Sequence, residues 1–265
     1  QAVAQGDELR SRRNQVSRQV GQARAGGQEP PAETIQEMRE VGDEISRLEQ
    51  EVKDLDEQLS GILLTLPNIP LTDVPLGLDE SANTVIRQWG EHRVFDFTPI
   101  PHWDLGEQLG IIDFEKGVKL SGSRFYTMFG AGAKLERSLI GWMLDLHTGE
   151  HGYTEMQLPS LVREAVMTAS GNLPKFIDTL YRDEESDLWM VPTAEVPITS
   201  LHRDDILPPG ALPIKYVAQT PCYRNEKSAA GRDTRGIKRV HQFNKVEMYK
   251  LVEPETSPAE LESLV

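Results

Sequence analysis

The sequence predicts an α+β protein in which an antiparallel sheet flanked by helices follows an N-terminal antiparallel two-helix coiled coil. Three observations carry that prediction. Residues 1 to about 62 are free of aromatic side chains and keep an apolar heptad seam. A proline-rich stretch closes this region off. Beyond it, helical stretches alternate with short β-rich runs.

The seam is clearest in the second half of the first region, where Met38, Val41, Ile45, Leu48, Val52, Leu55, Leu59 and Ile62 recur at alternating spacings of three and four. Leu9, Val16, Val20 and Ala23 supply the facing stripe. The segment Gly26-Gly27-Gln28-Glu29-Pro30-Pro31 breaks the two helices, because no helix crosses it. Neither helix has a second apolar face, so the pair is expected to project as an arm over residues 1–65. Its charges are unequal. Arg10, Arg12, Arg13, Arg18 and Arg24 outweigh Asp7 and Glu8 in the first helix, whereas the second is acidic. Complementary pairing between the helices accounts for this asymmetry; a basic edge for a phosphate backbone is the sharper alternative.

Leu66-Pro67-Asn68-Ile69-Pro70 and Val74-Pro75 then mark a boundary, and residues 66–265 form the second domain. Helices are expected at about 103–112, 133–147 and 159–170, and strands at about 123–129, 153–158, 188–191, 214–224 and 238–251. The last two strands flank a charged, glycine-bearing segment, so they should pair antiparallel. Ser257-Pro258-Ala259-Glu260 reads as a capping box that opens another helix. That helix has run about two turns when the chain stops at Val265, and Gln1 stands in or near a helix without an initiator Met. Residues are therefore expected beyond both ends.

Composition removes several classes of function. A single cysteine, Cys222, cannot form an internal disulfide, and no spacing of Cys and His suits zinc. No run approaches the roughly 20 apolar residues that span a bilayer, and no secretory pattern opens the chain, so the cytoplasm is the expected location. A net charge of −14 argues against indiscriminate coating of nucleic acid, and directs attention to local basic clusters. The densest lies between Tyr223 and Lys245, where Arg224, Lys227, Arg232, Arg235, Lys238, Arg239 and Lys245 face only Glu226 and Asp233. Strand alternation would set Arg224 beside Glu226 on one face, and Phe243 with Glu247 on another.

Tyr223-Arg224-Asn225-Glu226, followed by the run from Gly231 to Glu247, resembles motif 2 of a class II aminoacyl-tRNA synthetase in its seryl form, of bacterial type. Gly132-Ala133-Lys134-Leu135-Glu136-Arg137, with Gly152-Tyr153-Thr154-Glu155 and Pro159, resembles motif 1, the dimer-forming segment. Thr193-Ala194-Glu195 resembles the family's serine-recognition loop, and the helical hairpin is what the family carries.

The resemblance implies a class II catalytic domain that activates L-serine with ATP to seryl-adenylate, then transfers serine to the 3′ end of tRNA(Ser). Arg224 would bridge the α-phosphate and the serine carboxylate. Asn225 and Glu226 would belong to the ATP site, with Glu226 accepting from the adenine amino group. Val240 would line the nucleotide pocket and Phe243 would stack on adenine. Thr193, Ala194 and Glu195 would hold the amino end of serine, and Glu247 would accept its hydroxyl proton. Lys227, Arg232 and Arg235 would guide the tRNA terminus, while Arg10, Arg13 and Arg18 would receive its long variable arm. Mg2+ would accompany ATP on ligands outside this sequence, since no segment resembles motif 3, and a homodimer would form through motif 1.

Cys222 and His241 read as structural neighbours of motif 2 rather than nucleophile or ligand. A relative that loads a carrier protein, and a paralogue that binds RNA without catalysis, remain as alternative readings.

Overall fold

The computed structural model describes residues 2–27, 29, 31–226 and 235–265. The chain divides into two compact units, Gln1–Pro70 and Leu71–Val265.

The first unit is the hairpin of α1 (Ala2–Ala25) and α2 (Ala32–Leu63). Val41, Ile45 and Leu48 are buried against α1, whose Leu9, Val16, Val20 and Ala23 are half-buried. The seam is not covered throughout. Leu55, Leu59 and Ile62 stay more than half exposed, because α2 is eight residues longer than α1 (32 against 24) and runs past it. Gly27, at φ +78°, closes the end of α1 in a conformation that a Cβ would strain. Two ion pairs cross the seam, Arg10 with Glu49 at 2.7 Å and Arg12 with Glu37, and Arg10 also pairs with Asp7 of its own helix at 2.8 Å. Part of the basic charge of α1 is thus spent on the acidic helix beside it.

The second unit contains α3 (His102–Gln108), β1 (Ile112–Asp113), α4 (Phe114–Ser121), β2 (Thr127–Met128), α5 (Ala131–Gly149), β3 (Thr154–Met156), β4 (Leu161–Val162), α6 (Glu164–Ala169), β5 (Tyr181–Arg182), β6 (Trp189–Met190), α7 (Glu195–Leu201), β7 (Ile214–Tyr223), β8 (Gln242–Leu251) and α8 (Ser257–Glu262). The main sheet runs β3-β7-β8. The β7–β8 pair is antiparallel over ten positions, from Ile214 opposite Leu251 to Tyr223 opposite Gln242, while β3 joins parallel at Tyr216–Ala218. The sheet is therefore mixed. A second sheet, β4-β6-β5, is antiparallel, and β1 pairs antiparallel with β2.

Pro221 is tolerated inside β7 for a geometric reason. The Tyr223 N–H, two residues on, points away from β8 and donates to Val191 O at 2.9 Å, so the N–H that Pro221 lacks is not a rung to β8.

Some local signals were too short to outvote the periodic pattern. Expected strand 123–129 shrinks to β2, because Ser123 and Arg124 form a turn in which Arg124 has φ +61°; just before it, Asp113 Oδ1 accepts from the Lys116 N–H at 2.8 Å to start α4, and Gly122, at φ +91°, ends that helix. The expected helix at 159–170 opens instead with β4, and α6 follows. The capping box at Ser257 does not form. Thr256 occupies the N-cap, and Glu260 accepts from Lys250 at 2.8 Å rather than capping backward.

Two apolar clusters anchor the unit. Val162, Met167, Leu173, Leu180, Trp189, Val191 and Val196 form one, and Leu158, Ala194, Ile198 and Ala218 form the other. Helix α7 contributes to both, Val196 to the first and Ile198 to the second, so the turn before it is held from two sides. Among the described residues no helix is long and apolar enough to cross a membrane.

Two glycines should respond oppositely to alanine. At Gly117 a Cβ would sit 2.4 Å from Phe125 O and Tyr126 Cα, whereas at Gly42, inside α2, it meets nothing within 4 Å. Denaturant unfolding should show Gly117→Ala losing about 1–3 kcal/mol and Gly42→Ala gaining up to about 1 kcal/mol.

Candidate active site

The site is assembled where β7 ends. Arg224, Asn225 and Glu226 lie just past the strand rather than on it, so strand alternation does not set their directions. Their backbone is tied down instead. Arg224 N–H donates to His241 O at 2.9 Å, and Asn225 N–H donates to Thr179 O at 2.8 Å. His241 Nδ1 lies 2.9 Å from both Arg224 O and the Tyr181 hydroxyl. A carbonyl can only accept, so Nδ1 carries the proton. Phe125 stacks on the His241 ring at 5.2 Å. Burial raises the Tyr181 phenol above its ordinary pKa and keeps it protonated. His241 is thereby a brace for Arg224. Cys222 is fully buried, and that burial pushes its thiol pKa up, which is unsuited to nucleophilic attack.

Two cavities adjoin along a wall shared by Arg224 and Glu226. One, of about 470 Å³, is also lined by Asn172, Phe176, Pro192, Thr193 and Glu195. The other, of about 450 Å³, is also lined by Ile237, Val240 and Phe243. Both volumes suit small-molecule ligands. Arg224 Nε donates to Pro192 O at 3.3 Å, and its guanidinium lies 5.1 Å from the Phe243 ring centre. No ion pair engages Arg224 among the described residues, so its terminal nitrogens remain available to an anion. Glu226 stands 3.5 Å from Arg239.

Thr193 precedes α7. Its hydroxyl accepts from the Glu195 N–H at 3.3 Å and donates to Glu247 Oε2 at 2.8 Å. The Ala194 side chain is fully buried, Glu195 is exposed, and Val240 is buried. Phe243, Lys245 and Glu247 share one face of β8, and Lys245 pairs with the same Oε2 of Glu247 that Thr193 holds. Glu247 Oε1 has no hydrogen bond among the described residues. One carboxylate oxygen is thus fixed by two donors while the other is left as an acceptor.

Thr193, Glu195, Arg224, Glu226, Val240, Phe243 and Glu247 are therefore brought together, although Glu247 reaches the first cavity only through Thr193. Arg235 is elsewhere, over the Trp103 ring and 3.3 Å from Asp104. Arg13 and Arg18 are exposed on α1, without ion pairs among the described residues, whereas Arg10 is paired. Lys227 and Arg232 lie outside the described residues. Asn172, Phe176 and Thr179 went unseen in the sequence. The available signal was Gly171-Asn172, a left-handed helix stop at φ +73° that re-aims the chain toward the cavity. Among the described residues no group of three His, Cys, Asp or Glu side chains could hold a metal ion.

Comparison with known proteins places the chain among known families. Residues 1–70 match the family model described as the seryl-tRNA synthetase N-terminal domain, and residues 175–265 match the class II tRNA synthetase core domain (G, H, P, S and T). The serine–tRNA ligase of Thermomicrobium roseum is 56% identical over 265 residues, which is 100% of this chain and 59% of that protein. That of a Roseiflexus species is 56% identical over 258 residues, covering 97% of this chain and 60% of the relative. The solved seryl-tRNA synthetase of Pyrococcus horikoshii, complexed with ATP, superposes with a TM-score of 0.89 at 36% identity, covering 99% of this chain and 63% of that one. The chain spans about three fifths of the length of these relatives. With its N-terminal hairpin, its class II core and its full-length similarity to these ligases, the chain belongs to the seryl-tRNA synthetase family.

Proposed function

We propose that the chain carries the serine-activating site of a serine–tRNA ligase, with serine in the cavity of Thr193 and Glu195 and ATP in the cavity of Val240 and Phe243. The observation that supports this reading most is the shared wall. Arg224 lines both cavities, where a serine carboxylate and an α-phosphate would have to meet.

In the first step a carboxylate oxygen of serine attacks the α-phosphorus and pyrophosphate leaves. Arg224 binds both anions, aligning attacker and target and stabilising charge on the phosphorus oxygens. Its contact with the Phe243 face means that adenine would share that ring with the guanidinium or shift it. Glu226 accepts from the adenine amino group, Val240 shapes the pocket, and Asn225 fixes the turn between Arg224 and Glu226 through its N–H to Thr179 O. Thr193, Ala194 and Glu195 receive the amino end of serine.

Glu247, which stands behind Thr193 at the edge of the cavity, would accept the serine hydroxyl on its free oxygen once serine is seated against Thr193. An amino acid without that hydroxyl leaves a desolvated carboxylate oxygen unpaired, which selects against alanine. In the second step a terminal ribose hydroxyl of tRNA(Ser) attacks the acyl carbon and AMP leaves. Magnesium would accompany ATP; among the described residues no group of three His, Cys, Asp or Glu side chains assembles a site for it, and each step above uses only the chain's own side chains.

On the arm, ion pairing already occupies Arg10, so the tRNA contact falls mainly on Arg13 and Arg18. The helix α5 exposes Leu135, Leu139 and Trp142 at i, i+4 and i+7, an apolar stripe suited to a second copy of the chain. The reading sets this work in the cytoplasm, where tRNA and ATP meet.

Serine-dependent exchange of pyrophosphate into ATP by the full-length protein is the direct test. Exchange should occur with serine and not alanine, and Arg224→Ala should reduce it by about 100-fold or more. Exchange with no amino acid would instead favour an RNA-binding paralogue. Thr193→Val, which removes one of the two donors that fix Glu247, should raise the KM for serine by about tenfold, read from the same assay at varied serine. Replacing Arg13 and Arg18 together by Ala should raise the KM for tRNA by about tenfold and flatten its salt dependence while sparing exchange. Equal loss in both reactions would contradict the arm assignment.

A further inference from the structure

The first turn of α3 grips the segment that re-enters the nucleotide cavity. His102 Nε2 accepts from the Ile237 N–H at 2.9 Å. Two residues earlier, Arg235 donates to Asp104 Oδ1 at 3.3 Å and lies over the Trp103 ring at 5.3 Å. Between them, Gly236 has φ +78°, and a Cβ there would stand 2.2 Å from His102 Nε2 and 2.8 Å from Trp103 Cε3. Three successive residues of α3 thus hold three successive residues of a segment more than 130 positions later in the chain. Glycine is required at the middle one, both for its left-handed backbone and for the close approach.

What is held matters because Ile237 lines the cavity of Arg224, Glu226, Val240 and Phe243. The hydrogen bond to its N–H comes from a side chain on α3, outside that cavity's lining.

We propose that His102 is a positioning residue for nucleotide binding, acting through the backbone of Ile237, with Trp103 and Asp104 steadying the same segment through Arg235. The role rests on the assignment of this cavity to ATP. Histidine suits it because a neutral imidazole offers one acceptor nitrogen on a rigid ring, and that ring also packs edge-on against Trp103 at 5.0 Å. Losing the acceptor leaves the Ile237 N–H unpaired and frees the wall of the nucleotide cavity without touching the residues that would hold serine.

The experiment uses the full-length enzyme with His102→Phe, which keeps a ring but no acceptor, and His102→Gln, whose side-chain carbonyl can accept. Pyrophosphate exchange gives the KM for ATP and for serine, and a non-hydrolysable ATP analogue gives the Kd directly. His102→Phe should raise the KM for ATP and the analogue Kd about fivefold, the worth of one hydrogen bond. The KM for serine and the Tm should stay near wild type, and His102→Gln should recover most of the loss. An unchanged KM for ATP in His102→Phe would overturn the proposal. So would a parallel rise in both KM values with a lowered Tm, which marks a general structural role. If the wild-type enzyme exchanges with serine yet His102→Phe is normal, only this inference fails; if the wild type neither exchanges nor binds the analogue, the assignment beneath it fails.

Discussion

Everything at the site depends on the antiparallel pairing of β7 with β8. Its ten-position register sets Tyr223 opposite Gln242, so the chain leaving β7 at Arg224 emerges beside the chain entering β8. A slip by one residue would turn Phe243, Lys245 and Glu247 to the opposite face and separate them from Arg224 and Thr193. The register is defended by the core: Ala218, Thr220 and Cys222 share one buried face of β7, whereas Gln219, Pro221 and Tyr223 between them are half-buried, so a slipped strand would exchange the two sets.

Around that pair, the site is built from groups that immobilise one another. The hydroxyl of Thr193 links the start of α7 to Glu247, and α7 is itself wedged by Val196 and Ile198 into two separate apolar clusters. His241 braces Arg224 from behind through main chain and ring. Side chains that line the two cavities are thus held by backbone atoms and core packing rather than by one another alone, which leaves them preorganised. The clasp between α3 and the Arg235–Ile237 segment extends the same logic to the cavity lined by Val240 and Phe243.

The N-terminal hairpin follows a different rule. Its seam is thin, with three apolar side chains of α2 buried, and its surface charges are partly neutralised across the helices. Exposed pairs of this kind contribute little stability. Their larger effect is selective: they withdraw Arg10 and Arg12 from the free cationic surface and leave Arg13 and Arg18 on it.

The heptad spacing of α2, the Gly-Gly and Pro-Pro break, the strand pair around a basic segment and the linear order of the motifs could all be read from the sequence, because each is a short-range pattern of residue types. So could Thr193, Glu195, Arg224, Glu226, Val240, Phe243 and Glu247 among the residues that gather at the site. Four things could not. Arg224 and Glu226 share two cavities through a turn rather than through strand alternation. Lys245 and Thr193 converge on one oxygen of Glu247. Asn172 and Phe176 join the wall from a loop with no periodic signature, and His102 closes on Ile237 across more than 130 residues. Local spacing specifies which face of a helix or strand a side chain takes. Which distant backbone N–H or carboxylate it then meets is settled only when the apolar clusters close and bring those elements within hydrogen-bonding distance.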